Sequence, residues 1–261
     1  MKQVLVILFL CLGLNAEQDS IDMKVKRNLN GTVYADIMIK SLRLSTKEAG
    51  RRGFKDEFLT RIVAKEDNKT VFDLIGSEYL SKNPSLTFAY KSTGASALNI
   101  KVIDNNNHKN HLTQRIAVDS GPIPLTKNKN AGKEEEPYRV NIPAVKETLG
   151  DIELINTDKI QLRTSANALY GRAFPVDVYS DIKAKSVTLF AIEENAQMKL
   201  ICQWQISDHS IIDYSVEINL NTLVVDGSSA SILMIVVQGE DGKFYTTKKQ
   251  VYLSVGGGCS G

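Results

Sequence analysis

The sequence predicts an all-β protein, two immunoglobulin-like antiparallel β-sandwich domains joined by a linker. Three observations predict it. Short runs of alternating apolar and polar residues recur along most of the chain, the period-two pattern of half-buried strands. Turn-forming residues separate these runs at short, regular spacing, as in sandwiches. One stretch from Asp119 to Pro137, DSGPIPLTKNKNAGKEEEP, has no periodicity and is rich in Pro, Gly, Asn and charge, the composition of a linker. The chain therefore divides into 1–16, a signal peptide; 17–118, a first sandwich; 119–137, the linker; and 138–261, a second sandwich ending in a tail. A length of 261 residues with 43% hydrophobic content is enough for two cores.

In the first half the expected strands are Val33 to Leu42, Glu57 to Ala64, Ser85 to Lys91, Ala97 to Asp104 and Leu112 to Val118. Asn83-Pro84 breaks the chain ahead of one of them. Asp104-Asn105-Asn106-Asn107 is a hairpin signal, because Asn and Asp tolerate positive φ. The second half opens on Ala144-Val145-Lys146-Glu147-Thr148-Leu149, read as a short helix ended by Gly150. Strands are then expected at Lys159 to Thr164, Phe174 to Tyr179, Ser186 to Ile192, Met198 to Ile206, Asp213 to Leu220, Ser231 to Gln238, Lys243 to Thr247 and Gln250 to Val255, with a turn at Gly239-Glu240-Asp241-Gly242.

Met1-Lys2, the apolar run Val4 to Leu14 and the small residue Ala16 read as a signal peptide cut after Ala16. Leu10 precedes Cys11 where a lipidation signal takes a small residue. No later segment is long and apolar enough to span a membrane, so the expected protein is exported and soluble, without membrane insertion. The formal net charge of +2 gives no basic excess of the kind nucleic-acid binding requires.

Removal of the signal leaves two cysteines, Cys202 and Cys259. Alternation places Met198, Leu200, Cys202, Trp204 and Ile206 on one apolar face, so Cys202 is expected to be a buried core thiol rather than half of a staple to Cys259. Cys259 stands in Gly256-Gly257-Gly258-Cys259-Ser260-Gly261. Glycines resist ordering, and branched or bulky neighbours are absent. The sequence thus places a free thiol on a thin tether. The four residues Gly256 to Cys259 reach about 13–14 Å when extended. With no Lys, Arg or His beside it and the chain terminus close by, the thiol is not activated by its neighbours in sequence. An exposed thiol of this kind is only a few per cent thiolate at neutral pH. That suits a covalent carrier acted on by enzymes better than an enzyme. Cys259 is third from the end, whereas prenylation takes the fourth.

Other chemistry is sparse. His108-Lys109-Asn110-His111 is an H-x-x-H, but two histidines do not close a metal site and a solvated hairpin is the plainer reading. His209 falls in a loop. There is no G-x-S-x-G, C-x-x-C, H-E-x-x-H or P-loop. Arg51-Arg52 with Lys55 reads as a wet loop or a docking patch, and Glu134-Glu135-Glu136 as part of the linker.

With these residues in view, the tail Gly257-Gly258-Cys259-Ser260-Gly261 resembles the Gly-Gly-Cys-Gly-Gly terminus of SoxY, the sulfur-carrying subunit of the thiosulfate-oxidising Sox system. Asp158-Lys159-Ile160-Gln161-Leu162, Phe174-Pro175-Val176-Asp177-Val178 and Val187 to Asn195 are similar to SoxY as well. The first half resembles the partner subunit SoxZ around Ser81 to Phe88 and Asn99 to Asn105. Ser260 stands where the family has glycine, and Leu44-Ser45-Thr46-Lys47-Glu48 where SoxZ has a His-Pro-Met segment.

The resemblance implies a periplasmic carrier that holds thiosulfate-derived sulfur on Cys259, with Gly256, Gly257, Gly258, Ser260 and Gly261 as the flexible arm and no cofactor beyond the bound sulfur. It implies as partners a haem-containing SoxAX-type oxidising enzyme, a SoxB-type sulfate-releasing hydrolase, and either a SoxCD-type sulfur dehydrogenase or another sulfur acceptor. The residues read without the resemblance leave two other classes open. One is a secreted tandem sandwich whose C-terminal cysteine forms an intermolecular disulfide. The other is a thiol enzyme using Cys259 as nucleophile, which lacks a base beside the thiol in sequence.

Overall fold

In the computed structural model of the chain the described residues are 20–40, 57–118, 150, 152–168, 171–192, 198–220 and 230–253. The signal peptide expected over 1–16, the linker expected over 119–137, the helix expected over 144–149, the Arg51-Arg52-Lys55 patch and the tail from Gly256 to Gly261 lie outside them. Among the described residues nearly all structure is strand and there is no α-helix. The strands are β1 (Ser20–Arg27), β2 (Thr32–Lys40), β3 (Leu59–Glu66), β4 (Lys69–Gly76), β5 (Ser85–Lys91), β6 (Ala97–Asp104), β7 (Lys109–Arg115) and β8 (Ala117–Val118), then β9 (Leu154–Asn156), β10 (Ile160–Arg163), β11 (Asn167–Ala168), β12 (Phe174–Ser180), β13 (Ala184–Ile192), β14 (Met198–Gln205), β15 (Ser210–Ile218), β16 (Ala230–Gly239) and β17 (Phe244–Leu253).

The alternation works as expected. In β2, Val33, Ala35, Ile37 and Ile39 point inward and are fully buried, while Asp36, Met38 and Lys40 are exposed. At the hairpin after β6, Asn107 takes φ 64°. The Asp104 carboxylate accepts from the backbone N–H groups of Asn106 at 2.9 Å and His108 at 2.8 Å, the local turn chemistry of Asp. Two segments expected as separate strands, Lys243 to Thr247 and Gln250 to Val255, form the single strand β17 over their described part.

The strands form two layers. Sheet I has the order β10-β12-β15-β5-β2-β1-β8, and sheet II the order β11-β17-β16-β13-β14-β4-β3-β6-β7, with β9 also on β17. The sheets are mixed. Most pairs are antiparallel, but β1–β8, β11–β17 and β17–β9 are parallel. Both sheets run from one half of the chain into the other. In sheet I, β15 pairs antiparallel with β5, Tyr214 opposite Phe88 and Val216 opposite Leu86. In sheet II, β14 pairs with β4, Trp204 opposite Leu74 and Cys202 opposite Gly76. Each half thereby covers two strand edges that would otherwise expose unpaired backbone.

Aromatic side chains fill the space between the layers at this seam. Phe72 and Phe88 from the first half stack at 4.1 Å between centroids. Trp204 and Tyr214 from the second half stack at 5.2 Å, and Phe72 meets Tyr214 edge-on at 5.8 Å. Such pairs contribute about 0.5–1.5 kcal/mol each beyond their area burial. One apolar cluster runs through both halves, from Met23 to Val251.

The face expected for β14 is corrected by a bulge. Leu189 of β13 lies opposite Cys202, but Phe190 lies opposite Leu200, so Ile201 is the extra residue. Ile201, Cys202 and Trp204 all point into the main core, and Ile206 packs against it. Met198 and Leu200 turn to the other side of the sheet, where Leu200 is 40% exposed. A one-residue insertion reverses the facing of everything beyond it.

Candidate functional site

Strand β17 is the last described strand before Cys259 in the sequence. Its last described residues are held on both edges. Tyr252 lies opposite Ala230 of β16 and Asn167 of β11, and Leu253 lies opposite Ala168. The Tyr252 N–H donates to the Ala166 carbonyl at 2.8 Å. The Lys249 ammonium donates to the Thr164 carbonyl at 2.6 Å. Val251 is buried, and Leu253 packs against the main core. These contacts hold β17 as far as Leu253. Five residues lie between Leu253 and Cys259, and the six steps along the chain reach at most about 20 Å when extended. Cys259 and the arm residues Gly256, Gly257, Gly258, Ser260 and Gly261 lie outside the described residues.

Cys202 is excluded from solution chemistry by its position. Cys202 is free and buried, with Gly76 and Leu189 opposite it on the flanking strands. Burial pushes its thiol well above the usual range, because a thiolate there would have no solvent. A thiol so placed is neither nucleophilic nor reachable.

The histidines are placed as the plainer reading expects. His108 Nδ1 lies 2.9 Å from the Asp104 carboxylate in an exposed turn. His111 sits on β7 opposite Lys101, and His209 Nδ1 lies 3.2 Å from the Lys91 carbonyl. Among the described residues no three His, Cys, Asp or Glu side chains come together as metal ligands, and no helix is long and apolar enough to cross a membrane.

One polar cluster was not singled out by sequence reasoning. Glu66 is fully buried. Its carboxylate accepts from Arg27 Nη2 at 2.9 Å, Ser92 Oγ at 2.7 Å and the Thr93 N–H at 2.9 Å, and Arg27 also donates to the Ala95 carbonyl. In sequence Glu66 belongs to Lys65-Glu66-Asp67-Asn68-Lys69, which reads as a wet turn. The turn does form, with Asp67 at φ 52°. The signal for the burial of Glu66 lay elsewhere, in the inward alternation of Ile62 and Ala64 before it. The cluster ties β1, β3 and the loop after β5 together within the first half.

Comparison with known proteins places a family domain on that half. Residues 23–115 match the family model described as SoxZ, sulphur oxidation protein SoxZ. The match begins in β1 and ends with β7. No curated protein matches the chain. Among solved structures, the sulfur carrier protein SoxY from Chlorobium limicola f thiosulfatophilum is 18% identical with a TM-score of 0.34, over 44% of this chain and 96% of its own. The superoxide reductase (neelaredoxin) from Ignicoccus hospitalis is 8% identical with a TM-score of 0.32, over 38% of this chain and 94% of its own. Murine CEACAM1b is 10% identical with a TM-score of 0.24, over 90% of this chain and 100% of its own. At these scores none of the three bears on the chemistry.

Proposed function

We propose that the chain is a fusion of SoxZ-like and SoxY-like parts and acts as a periplasmic sulfur carrier, with Cys259 as the attachment site and Gly256 to Gly261 as its arm. The observation that carries this reading is the SoxZ-family domain at 23–115, joined through both sheets to a half that ends in Gly-Gly-Gly-Cys-Ser-Gly. The inert setting of Cys202 supports Cys259 as the working thiol.

In the proposed cycle the Cys259 thiol and thiosulfate are coupled oxidatively by the haem-containing SoxAX-type partner. The sulfur–sulfur bond forms as one proton and two electrons leave, giving Cys–S–S–SO3⁻. Water, directed by the SoxB-type hydrolase, then attacks the sulfonate sulfur. Sulfate departs with two protons, and a persulfide anion stays on Cys259. A SoxCD-type dehydrogenase or another acceptor takes the remaining sulfane sulfur. The carrier supplies reach and a nucleophilic sulfur, and the partners supply the electron acceptor and the base. An arm of glycines suits this division, since it is thin enough to enter a narrow cleft.

The test is intact mass of protein purified from its host, with and without reductant, beside a Cys259→Ser variant. Reducible sulfur-containing adducts are expected on the native chain and none on the variant. The variant is expected to fold normally, because the change removes no large side chain and lies in the last few residues of the sequence, yet to support no thiosulfate oxidation when reconstituted with the partner enzymes. Full turnover by the variant overturns the reading. A native chain recovered only as a reducible covalent dimer with another subunit favours the intermolecular disulfide instead.

A further inference from the structure

The outer face of sheet II is cationic in the first half of the chain. Strands β3, β4, β6 and β7 carry it, and all four lie within the matched family domain. Ile62, Ala64, Ile100, Val102 and Leu112 turn to the main core. Alternation then leaves Arg61, Lys65, Lys101, Lys109, His111 and Arg115 on the outer side, all exposed. The register gathers them. Lys101 lies between Val63 and His111, and Ile103 between Arg61 and Lys109. At about 4.8 Å between strands and about 3.3 Å per residue, the six side chains share a patch of about 10 by 20 Å.

Nothing nearby balances that charge. The four strands hold the acids Glu66, Asp73 and Asp104, and all three are buried. Glu66 is bonded inward to Arg27, and Asp104 is bonded within its hairpin. Asp73 holds Arg61 by two bonds of 2.9 and 2.7 Å. Among the described residues no carboxylate forms an ion pair with Lys65, Lys101, Lys109 or Arg115. Like charges this close repel, and their fields add over about one to two screening lengths at physiological salt. The whole chain carries only +2, so the excess belongs to this face.

The surroundings select the kind of anion. A nucleic acid finds no aromatic group to stack on, because Phe72, the one aromatic residue of the four strands, is buried. A membrane finds no anchor, because none of the exposed large apolar residues lies on these strands. Half-buried Val63, Ile75 and Ile103 sit among the cations, an apolar centre with a charged rim of the kind that meets another protein. Complementary charge speeds encounter more than it prolongs contact, which suits a carrier that must leave each enzyme it visits. The face also stands several strands away from β17 within sheet II.

We propose, on the carrier reading, that the outer face of β3, β6 and β7 docks the enzymes that load and unload Cys259, through a carboxylate-rich patch on each of them.

The test is steady-state kinetics of the full chain as substrate, first with a SoxAX-type oxidising enzyme and then, once loaded, with a SoxB-type hydrolase, at rising salt. Lys101→Glu/Lys109→Glu is expected to raise KM for the carrier about fivefold or more at low salt in both steps, with kcat within about twofold, and to abolish the rise of KM with salt shown by the native chain. Lys24→Glu/Lys91→Glu makes the same change of net charge on exposed lysines of sheet I and is expected to leave KM unchanged. In all three proteins a small thiol reagent should label Cys259 equally while Cys202 stays shielded, which reports an unaltered thiol and an intact core. An unchanged KM with either enzyme overturns the shared docking face. So does an equal rise in both variants, which would assign the effect to net charge, or a loss confined to kcat. A native chain that neither enzyme turns over sinks the carrier reading and this proposal with it.

Discussion

Gly76 and Cys202 face each other across the seam between the two halves, in register on β4 and β14. The glycine is required there by space. A Cβ at position 76 would lie 2.6 Å from the Leu59 carbonyl oxygen and 2.5 Å from Leu80 Cδ1. The leucine side chain can turn away, but the Leu59 backbone begins β3 and is held by its own pairing. Gly76→Ala is therefore expected to cost about 1–3 kcal/mol, the usual range for overpacking. Equilibrium urea unfolding measures it, and an unchanged midpoint would contradict the tight approach.

The buried acidic groups of the core make stability fall at high pH. Burial pushes the Cys202 thiol and the Tyr90 and Tyr214 phenols upward, with the Glu66 charge adding to the effect at Tyr90 and that of Asp213 at Tyr214. All three stay protonated in the native state where the unfolded chain would ionise, so their contribution is whole below the unfolded pKa values. It is lost as pH rises past about 8.5 for the thiol and about 10 for the phenols. Alkaline titration followed at the phenolate absorbance is expected to show Tyr90 and Tyr214 ionising in one step with loss of the strand signal in circular dichroism. Cys202 should react with a thiol reagent in that same step and not before. Ionisation of Tyr214 well ahead of unfolding, judged as the phenolate signal missing from Tyr214→Phe, would contradict its burial.

The β content and much of the strand order were legible because one face of each strand is buried and period two is visible in the residues. Ser85–Lys91 and Ala97–Asp104 fall where the alternation puts them. Three things were not legible. Strand β4, Lys69–Gly76, buries Val71, Phe72, Asp73 and Leu74 in succession, so it shows no alternation. The bulge at Ile201 leaves no mark in sequence, and it moves Met198 and Leu200 off the face expected for them. The pairing of β4 with β14 and β5 with β15 joins residues more than a hundred positions apart, and nothing local encodes it. As for the candidate site, the burial of Cys202 followed from its neighbours, whereas the anchoring of β17 by Lys249 and Ala166 depends on a loop whose course only the fold reveals.

Arg27 and Glu66 form an ion pair in which the acid is fully buried and the guanidinium one-fifth exposed. Removing the partner of a buried charge costs about 3–5 kcal/mol. Arg27→Met is expected at the lower end of that range, since Ser92 and the Thr93 N–H still donate to the carboxylate. Arg27→Met/Glu66→Leu is expected to recover most of the loss, because no unpaired charge remains. Denaturant midpoints of the two variants decide the matter. A double variant less stable than the single one would mean that the pair contributes more than its mutual neutralisation.

The seam predicts that the connection between the halves is dispensable for their association. Backbone pairing of β4 with β14 and β5 with β15 is reinforced by Ser77 Oγ, which donates to the Leu200 and Ile201 carbonyls at 2.8 Å, and by the Asn219 N–H donating to the Tyr79 carbonyl at 2.8 Å. The Phe72–Phe88–Tyr214–Trp204 aromatic group lies between the layers at the same place. A protease site introduced within 119–137 and cut after folding should leave two fragments that elute together. Trp204, the single tryptophan of the chain, lies opposite Leu74 at the seam and reports the contact by its emission. In denaturant the cut protein should lose that signal at a midpoint that rises with protein concentration, because the second half is no longer held at a fixed effective concentration. The intact chain should show no such dependence. Fragments that separate at micromolar concentration without denaturant would mean that the shared sheets do not hold the halves together.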